Sequence, residues 1–133
     1  MDTNVLLRFL LGDDAAQAEA AKSFFSARSQ ADKAFVSVVT LVEAVWVLAS
    51  PRYGVESRRL LDVVADLGNQ PQLAIQEWPA VSRAIDLARA TGCGLPDALV
   101  AELGAARGCE STVTFDKRAA ASIPAMRLLE HRS

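Results

Sequence analysis

Apolar residues recur along the chain with two alternating periods. Val5, Leu6, Leu7, Phe9, Leu10 and Leu11 surround the axis until Gly12-Asp13-Asp14 interrupts them, which predicts a short buried helix over residues 4–11. Ala18, Ala21 and Phe25 form a helical stripe over 15–28, and Leu60, Val64 and Leu67 do so over 55–67, with Arg58, Arg59, Asp62 and Asp66 on the wet side. Helices are likewise predicted over 79–91, carried by Val81, Ile85 and Ala88 and closed by Gly92, and over 96–107, closed by Gly108. Residues 34–38 are short, β-branched and bounded by polar residues, so they predict a strand, after which Thr40 is placed to cap a helix over 41–49. That helix is expected to bury Val42, Val45, Trp46 and Ala49 and to stop at Ser50-Pro51. Further strands are predicted over 73–75, 111–115 and 126–129, with a short helical link over 117–121.

Short strands alternating with longer helices call for a parallel sheet covered on both faces. The expected class is therefore α/β, a three-layer sandwich with a short central parallel sheet flanked by helices. Ligands in such folds sit beyond the carboxyl ends of the strands, which directs attention to polar residues there.

Composition narrows the class. With 133 residues, 51% apolar and 23% charged, and a mean hydropathy of +0.18, residues 1–133 are expected to form one domain rather than a disordered chain. No apolar run reaches the roughly 18 residues of a membrane span, and no secretory leader pattern is present, so a cytoplasmic protein with no membrane partner is expected. Cys93 and Cys109, with no CxxC spacing, read as reduced thiols rather than a disulfide or zinc framework. The lone histidine, His131, lies near the end of the sequence, which argues against histidine-based triad chemistry. A net charge of −2 gives no global reason to expect a nucleic-acid ligand; setting four carboxylates aside as metal ligands changes it to +2.

Four carboxylates stand where chemistry is expected: Asp2 before the first helix, Glu43 in VSVVTLVEAVWVLAS, Asp97 in GLPDALVAEL and Asp116 at the end of STVTFD. Asp2 and Asp116 also suit helix caps, and Asp97, following Pro96, suits a first turn. Glu43 has Val39 and Val47 one turn away on either side, so it is expected to be largely buried, which is costly for an unpartnered carboxylate. Hard oxygen donors from several elements are how Mg2+, or Mn2+ in its place, is held for phosphoryl chemistry, and without a cation they would repel one another. Thr3 and Thr114 offer hydroxyl groups, and Asn4 an amide that orients a carboxylate. Lys117 and Arg118 lie beside Asp116 as candidate RNA contacts, and Arg52, Tyr53, Arg58 and Arg59 form the densest basic stretch.

The order DTNVLLRFL, TLVEAVWVL, GLPDALVAELGAARG and STVTFDKR resembles the PIN-domain family, specifically its VapC-type toxins, over essentially the whole chain. The resemblance implies a Mg2+-dependent endoribonuclease, the toxin of a type II toxin–antitoxin module. It maps Asp2, Glu43, Asp97 and Asp116 onto the family's acidic site, with Asp2 and Asp97 as direct ligands and Asp116 supporting a second ion or the water. Thr114 matches a frequent hydroxyl position. The resemblance also implies a homodimer and a VapB-type antitoxin whose tail covers the acids. Two features depart from the family pattern. Only Met1 precedes Asp2 where the family has a central strand, so the first strand is expected to be truncated and the start to lie downstream of a fuller one. Lys117-Arg118-Ala119-Ala120 follows Asp116 where an aromatic residue is common. The alternative of a different class is a catalytically impaired PIN-like module that dimerises and binds an antitoxin or RNA. A receiver domain suits Asp13-Asp14 poorly, because that pair follows a helix rather than a strand. An aspartate-nucleophile phosphatase typically has a second aspartate two positions on, where Asn4 stands, and neither fold explains Glu43.

Overall fold

In the computed structural model, which describes residues 1–12 and 14–130, helices and short strands alternate as the periodicity predicts. The chain divides into two compact units, Met1–Gln76 and Glu77–Ser133. Asp13 and His131 lie outside the described residues.

The first unit holds α1 (Thr3–Leu11), α2 (Ala15–Ser26), β1 (Ala34–Val36), α3 (Val38–Ala49), α4 (Ser57–Gly68) and β2 (Leu73–Ile75). Strands β1 and β2 pair in parallel, Ala34 opposite Leu73 and Val36 opposite Ile75. Among the described residues, β1 is the first strand and follows α1 and α2. The Met1 ammonium donates to the Phe35 carbonyl of β1 at 3.0 Å, and the Thr40 hydroxyl donates to the Met1 carbonyl at 3.5 Å, so the start of α1 is tied to β1 and to the first turn of α3. Asp14 caps α2 by accepting from the Gln17 N–H, and the predicted stripe Ala18, Ala21 and Phe25 is buried.

Helix α3 begins three residues before the expected start, because Ser37 rather than Thr40 is its cap: the Ser37 hydroxyl accepts from the Thr40 N–H at 3.1 Å. Its rotation also differs from the sequence expectation. The buried face is Leu41, Ala44, Val45 and Leu48, while Trp46 is 65% exposed and Val39 68% exposed. This is a turn of the helix by one residue, about 100°. Eleven of the twelve residues of VVTLVEAVWVLA carry no charge, so either face satisfies the pattern, and packing chooses the slimmer one.

The second unit holds α5 (Trp78–Thr91), α6 (Leu95–Ala106), β3 (Thr112–Thr114), α7 (Lys117–Ser122) and β4 (Met126–Leu128). Ala80, Ala84 and Ala88 recur every fourth residue on α5, and with Val81 and Ile85 they bury one face; α6 buries Leu95, Ala98, Leu99 and Ala101. Such small residues let helix backbones approach closely, and Arg83 Nε bonds Glu102 Oε2 across the pair at 3.1 Å. Gly92 ends α5 at φ +73°, a conformation that disfavours any residue with a Cβ. Strands β3 and β4 pair in parallel, Thr112 opposite Met126 and Thr114 opposite Leu128. A cluster of Ala101, Ala119, Ile123 and Met126 seats α7 against α6. Both cysteines are free, Cys93 half-buried and Cys109 exposed. Among the described residues, no helix is long and apolar enough to cross a membrane.

Candidate acidic site

Asp97 and Asp116 come together in the second unit through two different pieces of local chemistry. Gly94 supplies the extended residue before α6, Leu95 and Pro96 open the helix, and Asp97 falls in its first turn, where a carboxylate faces the positive end of the helix dipole. Asp116 ends the segment after β3 and caps α7: its Oδ1 accepts from the Arg118 N–H at 2.9 Å and the Ala119 N–H at 3.1 Å. The Thr114 hydroxyl accepts from the Asp116 N–H at 3.0 Å and so fixes the backbone that carries this carboxylate. Because the core holds Ala119 on α7 and Ala101 on α6, the two helix starts face one pocket of about 250 Å³. Asp97, Asp116, Arg118, Cys93 and Ser122 line it. Both carboxylates are exposed, and Asp116 keeps Oδ2 outside its two capping bonds.

Asp2 and Glu43 belong to the first unit. Asp2 is the N-cap of α1, its Oδ1 accepting from the Val5 N–H at 3.0 Å. Thr3 is the first residue of α1, and Asn4 lies beside Asp2 on the wall of a larger cavity of about 510 Å³ between α1 and α2, lined mainly by apolar atoms. That cavity is the more voluminous, but the concentration of polar donors is in the Asp97–Asp116 pocket. Glu43 corrects the sequence expectation: it is exposed, not buried, because the rotation of α3 carries it outward with Val39. The burial argument for a special role of Glu43 therefore fails, and its accessibility to solvent replaces it. Lys117 is exposed at the first position of α7.

Asp2 and Asp116 cap helices and Asp97 sits in a first turn, as their local sequence predicts. These roles do not compete with ligand binding: a cap uses one carboxylate oxygen and leaves the other. Within neither unit does a group of three or more His, Cys, Asp or Glu side chains among the described residues stand where one ion could be held. The pair Asp97 and Asp116 nonetheless fits a hard cation such as Mg2+, which is commonly held by one or two carboxylates, the rest of its shell being water and substrate phosphate. The sequence reading missed that Cys93 and Ser122 share this pocket, because their proximity arises from the turn after α5 and the end of α7, which no spacing rule links.

No curated protein matches the chain. The family model of the PIN domain matches residues 1–123, nearly its whole length. PIN domains are generally nucleases that use divalent metal ions, and the alternation of helices with short parallel strands is consistent with that fold. The chain is a member of the PIN-domain family.

Proposed function

We propose that this protein is a Mg2+-dependent endoribonuclease of the VapC type, the toxin of a type II toxin–antitoxin module, acting in the cytoplasm as a homodimer and restrained by a VapB-type antitoxin. The observation that carries the reading is the pocket in which Asp97 and Asp116 meet beside Arg118, two hard oxygen donors next to a cation suited to a phosphate. The reading takes residues 1–133 as one functional domain, with Asp2, Glu43, Asp97 and Asp116 as its acids. Asp97 and Asp116 would hold the cation, Asp2 would be the further direct ligand that the resemblance assigns, and Mn2+ would substitute for Mg2+. When bound, such a cation supplies Lewis acidity, activating water as a nucleophile and offsetting charge on a phosphodiester. Thr114 holds Asp116 in place, Asn4 and Thr3 support Asp2, and Lys117 and Arg118 attract the RNA backbone.

A calorimetric Mn2+ titration of the metal-stripped protein tests the reading independently of which RNA is cut. Saturable binding is expected, weakened in Asp97→Asn by more than the roughly 10–100-fold that removing an outer-shell partner costs. Unchanged affinity in that variant would remove Asp97 from the site. Absent binding by the unsubstituted protein would favour the non-catalytic alternative, a PIN-like module that binds antitoxin or RNA without cutting.

A further inference from the structure

Trp46 is the largest side chain that the fold leaves outside, 65% exposed on a helix otherwise anchored by Leu41, Ala44, Val45 and Leu48. It lines a pocket of about 390 Å³ with Tyr53, Arg52, Arg8, Asn4 and Ser50, over Leu7 and Val47. The volume falls in the roughly 300–1,000 Å³ range of ligand sites. The Arg52 guanidinium lies over the Tyr53 ring, 5.2 Å from its centroid. Arg8 is oriented by its Nε–H bond to Gln17 Oε1 at 2.7 Å. Among the described residues that line this pocket, Arg8 and Arg52 are charged and none is a carboxylate, although the chain as a whole carries a net charge of −2.

We infer that Trp46, with Tyr53 and Arg52, is a stacking platform for an unpaired base of the RNA substrate. Unstacked bases are held on aromatic faces and guanidinium planes, and an adjacent amide such as that of Asn4 can bond a base edge. Arg52, exposed over the Tyr53 ring, supplies positive charge for a flanking phosphate. Trp46 stands three residues after Glu43, so the two exposed side chains are neighbours on α3, one turn apart. The platform is thus a positioning device for the substrate of the proposed nuclease, and the inference rests on that reading. A second copy of this chain is the competing occupant. In a two-fold symmetric contact the same patch meets itself, which would bring Arg52 of one copy towards Arg52 of the other, an unfavourable juxtaposition.

The experiment follows Trp46 fluorescence in a Trp78→Phe background, which leaves Trp46 the sole tryptophan. It uses metal-stripped protein in a chelator, so binding is read without cleavage. The probe is a mixed-sequence single-stranded RNA of about twelve nucleotides, within the range of stacking sites. An abasic oligonucleotide of equal length serves as control. The RNA is expected to quench Trp46 saturably and the abasic strand not to. Trp46→Ala, measured by competition, should weaken RNA binding about 5- to 100-fold, the range expected from loss of one stacked base, while Trp46→Phe retains most of the affinity. Equal RNA affinity in Trp46→Ala, or equal quenching by the abasic strand, would overturn the platform and leave the nuclease reading standing. If Trp46→Ala changes the sedimentation coefficient from dimer to monomer without changing RNA affinity per chain, the pocket belongs to a second copy. Failure of the unsubstituted protein to bind RNA at all would overturn both readings.

Discussion

Helices α3 and α5 each bury five residues and are unequally legible. On α5, Ser82, Arg83, Asp86 and Arg89 mark the outer face, so the inner face of Val81, Ile85 and Ala88 follows from the sequence and is observed. On α3, only Glu43 is charged, and the helix lies one residue away from the orientation its apolar residues suggest. The comparison teaches that polar residues, not apolar ones, fix how a helix is rotated. A stripe of charge states which side must stay wet, whereas a continuous apolar surface states only that some side is buried. The excess apolar surface of α3 is what leaves Val39 and Trp46 outside, and an exposed tryptophan beside arginines is where a partner is to be sought.

The largest expected effects come from the buried faces of the two helices. Leu41→Ala on α3 and Ile85→Ala on α5 should each destabilise the protein by about 2–5 kcal/mol in chemical denaturation, since both remove methyl groups from positions at most 4% exposed. A small effect of Leu41→Ala would break the comparison by showing that α3 is not anchored on this face. An intermediate effect is expected at the cap: Ser37→Ala should cost about 1 kcal/mol, because the Thr40 N–H loses its acceptor. No loss would return the start of α3 to Thr40. The smallest effect is expected on the outer face, where Val39→Ala and Trp46→Ala should change stability by no more than about 0.5 kcal/mol. A loss of several kcal/mol at Trp46 would restore the core role that its apolar neighbours in sequence suggest.

The acids divide in the same manner. Asp2 and Asp116 announce themselves as caps, being short acceptors placed just before helical stretches, and Asp97 as a first-turn acid after Pro96. These local features depend on a few consecutive residues and were legible. That Asp97 and Asp116 share a pocket was not, because nineteen positions separate them and only the seating of Ala119 against Ala101 brings their helix starts together. Glu43 is exposed for the same reason that Trp46 is: its flanking valines mean burial only if the helix faces that way.

By itself, the sequence determined the order of helices and strands, the stops at Gly92 and Gly108, the parallel pairing that short strands between helices require, and membership of the PIN-domain family. These follow from backbone preferences and from periodicities that act within one or two turns. Only the tertiary structure decided the rotation of α3, the exposure of Glu43 and Trp46, and the meeting of Asp97 with Asp116 and of Trp46 with Tyr53 and Arg52. Such outcomes depend on which of several acceptable apolar faces fits a neighbouring surface of particular shape, and that fit is a property of packed side chains distant in sequence.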